Sequence, residues 1–217
     1  MSKVIVLRPE PGASATLARA KAEGIDAIAI PLFEVAPVAW AAPDAGAHDA
    51  LLLTSGNAVR NGGNGLAALS GLPAYCVGEA TASAARVAGF RVALVGDRDA
   101  AALIAQLPDG LRLLHLTGVE HRPIASVTQV AVYHNRTVHP PPSLDALRSG
   151  VAMVHSPRAG ARLGELINQR GSIAIAAISR VAADACGEGW RTVAAIDAPT
   201  DGALLALAGK LWQGRPR

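Results

Sequence analysis

The stretch "LLLTSGNAV", residues 51–59, is an apolar run that stops at Thr-Ser-Gly-Asn and passes into a helix-period segment; "AMVHSPRAGA", residues 152–161, does the same. An apolar run that ends in small hydroxyl residues reads as a covered parallel strand running into a helix start. The match extends outward from these two places. Ser55 aligns with Ser156 and Val77 with Ile178, and both differences (156 − 55 and 178 − 77) are 101. The same offset carries Leu103 onto Leu204, with "DRDAAALIAQL" set against "APTDGALLALA". Between them, "VGEATASAARVAGFRVALV" lies over "ISRVAADACGEGWRTVAAI" with one register adjustment. Solenoid repeats have periods of about 20–50 residues, so this one is a duplicated βα domain instead.

Short apolar runs alternate with helical stretches along the whole chain, the pattern of parallel sheets covered by helices. Strands are expected at 3–7, 26–32, 49–54, 73–77, 91–95, 111–116, 151–155, 173–178 and 192–196. A helix is expected over 13–24, closed by Gly24, and a last one from "DGALLALAGKLW". The first strand and helix have no partner just before residue 49; their counterpart is "LRLLHLTGVEHRPI" at 111–124. This order implies that the N-terminal segment returns to the C-terminal third. The expected fold class is α/β, with two similar parallel-sheet (flavodoxin-like) domains. Residues 1–34 plus 138–217 form one discontinuous domain and 40–131 the other, with inter-domain linkers at 35–39 and 132–137. "EVAPVAW" (34–40) and "AVYHNRTVHPPP" (131–142) are β-branched and proline-bearing, hence extended. Two such crossings would make a two-stranded hinge.

The composition is 51% hydrophobic but 3% aromatic, with much of the apolar content alanine, which packs closely in helices. A net charge of +3 from scattered Lys and Arg, with no basic run among aromatics, argues against nucleic acid as a partner. Cys76 and Cys186 have no CxxC neighbours and read as reduced core thiols. With no signal-peptide pattern and no membrane-length apolar run, a cytoplasmic protein without membrane attachment is expected. The low aromatic content gives no hint of a large interface, and a monomer is expected.

Ligands of open α/β sheets collect at the carboxyl ends of the strands. The residues there are Arg8-Pro9, Thr54-Ser55-Gly56-Asn57, Gly78-Glu79-Ala80-Thr81, Thr117-Gly118, Ser156-Pro157-Arg158, Ser179-Arg180 and Pro199-Thr200. Small hydroxyl residues and glycines let the free N–H groups of helix starts face outward, where they attract anions. One terminus is worth about 0.3–1 kcal/mol, so several would have to act together. The competing reading is that these residues are ordinary helix caps. No metal-ligand spacing occurs among the six histidines, no GxSxG elbow among the serines, and no phosphate-binding glycine motif follows the first strand. Neither a metal nor a cofactor is expected. Tyr133, one of two tyrosines, is either a half-buried packing residue on a strand or a site group.

"VLRPEPG", "LLLTSGNAV", "YCVGEATASAARVAGF", "AVYHNRT", "VHSPRAGA" and "APTDGALLALA" occur in the order and spacing that resembles the uroporphyrinogen-III synthase family, over almost the whole chain. That resemblance implies two α/β domains joined by a two-stranded ladder. It also implies an enzyme, a cyclising hydro-lyase of tetrapyrrole (haem, sirohaem, cobalamin) synthesis. The enzyme would close hydroxymethylbilane to uroporphyrinogen III with inversion of ring D and loss of water. The implied partner is this linear tetrapyrrole with its eight carboxylates, handed over from hydroxymethylbilane synthase. By the resemblance Tyr133 is the catalytic residue, helping the hydroxyl group leave. Arg8, Thr54, Ser55, Asn57, Gly78, Thr81, Gly118, Arg122, Ser156, Pro157 and Ser179 are substrate-binding, Gly118 and Arg122 in the loop after a strand of the middle domain.

The chain departs from the family pattern at three places. Val181-Ala182 stands where many relatives carry hydroxyl residues, so the loop at Ser179 should bind through backbone groups and Ser179 alone. "VYHNRT" separates Tyr133 from Thr137 more widely than usual, and "NGGNG" (61–65) should be unusually flexible. Two other functions compete: a non-catalytic two-lobed binding module for a small polyanion, and an isomerase or transferase of sugar phosphates. The last would be expected to show a general base near the serine turns, and none stands out.

Overall fold

Apolar runs become short strands and helical-period segments become helices in the computed structural model, which describes residues 3–214. The elements, in order, are β1 (Val4–Val6), α1 (Gly12–Ala22), β2 (Ala27–Ala29), β3 (Phe33–Pro37), β4 (Ala50–Leu53), α2 (Gly56–Asn61), β5 (Ala74–Val77), α3 (Glu79–Val87), β6 (Val92–Gly96), α4 (Ala100–Ile104), β7 (Leu113–Gly118), β8 (Thr128–Thr137), β9 (Val151–Val154), α5 (Pro157–Leu166), β10 (Ala174–Ala177), α6 (Arg180–Asp184), β11 (Thr192–Ala195) and α7 (Asp201–Gln213). Two compact units result: the chain up to Glu34 with the chain from Thr137 onward, and Val35–Arg136. Among the described residues, no helix is long and apolar enough to cross a membrane.

The first unit holds a five-stranded sheet, ordered β11-β10-β9-β1-β2, in which every pairing is parallel. Its central strands are buried on both faces. Val4, Val6, Val151, Met153, Ala174 and Ala176 pack with Ala13 and Ala20 of α1 and Leu204, Leu205 and Ala208 of α7. The alternate residues Ile5, Leu7, Ala152, Val154, Ile175 and Ala177 meet Leu163 of α5 and Ala182 and Ala183 of α6. The second unit holds a six-stranded sheet ordered β3-β8-β7-β4-β5-β6. There Leu51, Leu53, Ala74, Cys76, Leu114 and Leu116 pack against Ala58 and Val59 of α2 and Ala82 and Ala85 of α3. Beside β8, the Val38 N–H donates to the Val132 carbonyl at 3.1 Å, and the Val138 N–H to that of Leu32 at 3.1 Å.

The 101-residue offset is present in three dimensions. It relates the starts of α2 and α5 (56 and 157), α3 and α6 (79 and 180), and α4 and α7 (100 and 201). β4 and β9 match along their lengths under it, and Leu103 and Leu204 are both fully buried. Counted along the chain, the strands of the first sheet run 2-1-3-4-5 across it, the flavodoxin order. The second sheet repeats that order if β7 and β8 take the first two places, with β3 added at the edge. The place where strand order reverses lies between β1 and β9 in one sheet and between β7 and β4 in the other.

Three local expectations need correction. The strand expected over 26–32 pairs regularly only over Ala27–Ala29: the Ile30 N–H still donates to the Val6 carbonyl at 2.9 Å, but that of Leu32 goes to Leu7 at 3.2 Å, one residue on and not two, which breaks the register. The strand expected at 111–116 runs instead over Leu113–Gly118. The Asp49 carboxylate takes the Arg112 N–H at 2.8 Å, and the far end continues along β8 through a register shift that sets Gly118 opposite Tyr133. Gly118 is therefore the last residue of a buried strand and not part of a loop. Lastly, "NGGNG" is a helical junction, not a loose loop: α2 ends at Asn61 and a 3-10 helix covers Gly63–Leu69. Trp40 clamps it, its indole N–H donating to the Gly62 carbonyl at 2.9 Å while its ring lies where a Gly65 Cβ would be, 2.6 Å away.

Alanine and glycine let the helices of the first unit approach closely. A Cβ on Gly160 of α5 would stand 2.7 Å from the Ala182 carbonyl oxygen and 3.0 Å from Cys186 Sγ. The backbone contact cannot yield by rotating a side chain. Gly160→Ala is expected to lower the unfolding free energy by about 1–3 kcal/mol through overpacking, read from the urea midpoint at constant slope. A midpoint equal to wild type would show that α5 and α6 can separate freely.

Candidate functional site

Both strand-order reversals place polar groups at the carboxyl edge of a sheet, and the helix starts there are capped. Ser55 Oγ accepts from the Asn57 N–H at 3.2 Å, Ser156 Oγ from Ala159 at 3.2 Å and Ser179 Oγ from Ala182 at 3.3 Å. Thr200 Oγ1 accepts from Ala203 at 3.2 Å and Asp99 Oδ1 from Ala102 at 2.8 Å. Asp99 and Thr200 are themselves 101 residues apart, as are Gly78 and Ser179. Each hydroxyl accepts one bond as a cap and retains its own proton to donate. Gly78 starts α3 with φ at +80°, a left-handed backbone that glycine adopts without steric cost.

In the unit Val35–Arg136, the expected residues Thr54, Ser55 and Asn57 lie at the end of β4 and the start of α2. Asn57 uses its side-chain oxygen on Arg60 at 3.3 Å. Thr81 is buried in the first turn of α3, its N–H donating to the Gly78 carbonyl at 3.1 Å. Tyr133 of β8 is half-buried and packs against the Leu51–Val132 core cluster. Its ring lies over Gly118, where a Cβ would come 2.9 Å from Cε2 and 3.3 Å from the phenol oxygen. Any side chain at 118 would displace the tyrosine. Arg122 is exposed on the segment between β7 and β8, and its carbonyl accepts from Gln129 Nε2 at 3.3 Å.

Sequence reasoning missed the groups behind Thr54. His115, 3% exposed on β7, lies with Nε2 2.9 Å from Thr54 Oγ1 and Nδ1 3.0 Å from Gln129 Nε2. Burial, with a smaller contribution from His121, lowers its pKa from 6.5 to about 4. The signal was a histidine among the leucines of "LRLLHL".

In the other unit Arg8 follows β1, and its guanidinium donates to Asp201 Oδ1 at 3.1 Å. The same oxygen accepts from Thr16 Oγ1 at 2.8 Å and from His155 Nε2 at 3.0 Å, while Oδ2 pairs with Arg19. Burial opposes ionisation of Asp201, but the hydrogen bonds from Thr16 and His155 and the charge of Arg8 outweigh it, so its pKa is lowered. Burial also lowers the pKa of His155, keeping the ring neutral. Two guanidiniums against one carboxylate leave this group one positive charge in excess, suited to an anion, although Arg8 is already held by Asp201. Gly12 makes room for it, since a Cβ there would stand 2.3 Å from Arg8 Nε. Ser156 and Pro157 begin α5, with Pro157 exposed, and Ser179 begins α6. Glu10, two residues before α1, accepts the Ser14 N–H at 3.0 Å.

A family model described as uroporphyrinogen-III synthase HemD matches residues 14–206. A solved structure of uroporphyrinogen-III synthetase from Helicobacter pylori 26695 is 18% identical, covering 97% of this chain and 100% of that one, with a TM-score of 0.67; the likeness is one of fold. The uroporphyrinogen III synthase of the extremely thermophilic bacterium Thermus thermophilus is 20% identical, covering 97% of this chain and 98% of that one, with a TM-score of 0.41. No curated protein sequence matches the chain.

The lowered pKa of His115 sets a pH dependence. The unfolded chain takes up this proton near pH 6.5, the folded chain only near 4. The stability that depends on the neutral ring is therefore complete above pH 6.5 and is lost as pH falls toward 4, at about 1.4 kcal/mol per unit. Between pH 6.5 and 5, urea unfolding should show wild type losing about 2 kcal/mol more than a His115→Leu variant. Equal losses would mean that the ring titrates as if in water.

Proposed function

Since the chain belongs to the uroporphyrinogen-III synthase family, we propose that it cyclises hydroxymethylbilane to uroporphyrinogen III, inverting ring D and releasing water. The observation that carries this reading is the family match across residues 14–206, which takes in every proposed site residue except Arg8. The family serves tetrapyrrole synthesis. We assign the reaction to a cyclising hydro-lyase, working in the cytoplasm as a monomer that receives its substrate from hydroxymethylbilane synthase.

The substrate carries eight carboxylates, and the carboxyl edge of each sheet offers what such a molecule needs. Helix starts at Ser55, Gly78, Ser156 and Ser179 present backbone N–H donors, with Pro157 contributing its ring and no N–H, joined by the hydroxyls of Thr54 and Thr81, Asn57 and the cations Arg8 and Arg122. In this reading residues 1–34 plus 138–217 and residues 40–131 are lobes, and 35–39 and 132–137 are the linkers of a hinge. The chemical demand is geometric. A bilane can close without inversion, so the protein's contribution is to hold one folded form in which the correct carbon atoms meet. Tyr133 is the catalytic residue: its phenol donates a hydrogen bond to the hydroxyl that leaves as water. Gly118, having no side chain, leaves room for the tyrosine ring itself.

The test generates hydroxymethylbilane enzymatically, adds this protein and separates the oxidised uroporphyrin isomers. Type III is expected, and type I alone at every protein concentration would refute the assignment in favour of a binding module. Tyr133→Phe should lower the rate about tenfold or more without changing the unfolding midpoint, in keeping with loss of general-acid assistance. Wild-type activity in that variant would remove the leaving-group role. Ser55→Asp and Ser156→Asp separate capping from substrate contact. Aspartate caps as well as serine, so stability should stay within about 0.5 kcal/mol, while its charge should raise KM for an anionic substrate. An unchanged KM would mark both serines as caps alone.

A further inference from the structure

The hydrogen bonds behind Thr54 form a chain with one allowed direction. Gln129 Oε1 accepts the Ile124 N–H at 2.9 Å, which fixes the amide's orientation. Its nitrogen then faces two atoms, the Arg122 carbonyl oxygen at 3.3 Å and His115 Nδ1 at 3.0 Å. A carbonyl can only accept, so the two amide protons go one to each. His115 Nδ1 is thereby an acceptor, the neutral ring carries its proton on Nε2, and that proton goes to Thr54 Oγ1 at 2.9 Å. With an acceptor position of Thr54 taken up, its own proton is turned away from the histidine.

The fold does not demand this arrangement. His115 stands opposite Leu52 in the β4–β7 ladder, and the corresponding place in the other sheet is Val6, opposite Met153. The counterpart of Thr54, 101 residues on, is His155, which bonds to Asp201 instead. One sheet fills the strand position with valine, the other with a buried polar group that ends on a strand-edge hydroxyl. A buried polar chain costs desolvation at every member and is retained without loss only when all members are satisfied.

We propose that His115 and Gln129 are positioning residues, which direct the Thr54 hydroxyl as a donor and tie its direction to the segment that carries Arg122. This rests on the reading above, in which Thr54 and Arg122 meet the substrate. Gln129 holds Arg122 and Ile124 on one side and His115 on the other, so a shift of that segment moves the amide that donates to the imidazole. Thr54 and Arg122 are then set together.

The test combines a double-mutant cycle with a spectroscopic reading. Thr54→Val and Gln129→Leu should each lower kcat/KM about tenfold, the scale of one hydrogen bond to a charged group. The double variant should lose no more than either alone, because Gln129 acts through Thr54. Thr54→Ser should restore most of the activity. Losses that multiply in the double variant would overturn the proposal. In protein labelled with ¹⁵N-histidine, the His115 ring should be the Nε2–H tautomer at pH 7. In Gln129→Glu, a near-isosteric acceptor, the proton should move to Nδ1. A wild-type ring protonated on Nδ1, or one unmoved by Gln129→Glu, would also overturn it. If wild type yields no type III isomer, the reaction assignment fails, and the imidazole signals still decide whether the chain of bonds exists. If a variant at 129 does not fold, the Thr54→Val/His115→Leu cycle replaces it with the same expectation.

Discussion

A parallel strand covered by helices on both faces has no room for an uncompensated polar side chain along its length. In both sheets the central strands are mostly alanine, valine, leucine and isoleucine, and apart from His115 and Thr117 on β7 their polar residues gather where a strand gives way to a helix. That constraint places the chemistry. Serine, threonine or aspartate begins five of the helices, where it accepts one of the first N–H groups, and those residues stand at the carboxyl ends of strands. In the proposed reading, stability and ligand contact draw on the same side chains. Only their second hydrogen-bonding capacity is open to a substrate.

Within this shared frame the two units have diverged in charge. At the start of its last helix one unit has Ala100 and the other Asp201, which collects Arg8, Arg19, Thr16 and His155. The carboxylate fixes both guanidiniums and leaves a surplus of one positive charge. The other unit has no such group at that place and instead buries a neutral chain through His115 to Thr54. One edge is prepared by fixed charge, the other by the direction of dipoles. The first will weaken with salt, and the second, being buried, much less so.

What could be read in the sequence was local or periodic. The 101-residue offset was visible because strand, cap and helix are each written within a few neighbouring residues, and the helix starts keep that offset. Ser55 and Ser156 were legible as caps for the same reason. Asp201 was not, because its partners Arg8 and Thr16 lie 193 and 185 residues away and nothing near it predicts them. Gln129 lies 14 residues from His115, and its role depends on the parallel register of β7 with β8. The end of β7 was misplaced because Thr117-Gly118 looks like a turn until Tyr133 is seen to lie against it. Likewise the glycines at 61–65 read as slack until Trp40 is found on them.

The order of the strands has a consequence for biosynthesis. β1 takes β2 on one side early, but the neighbour on its other side, β9, begins at Val151. At about 5–20 residues per second on the ribosome, the nascent amino-terminal unit of strand, helix and strand waits on the order of ten seconds with one edge unfilled. All of Val35–Arg136 is translated during that interval, and its sheet can close first. An open, apolar edge invites pairing with another nascent chain. Three residues is a short edge for such a stranger to grip, and β1 is no longer than that.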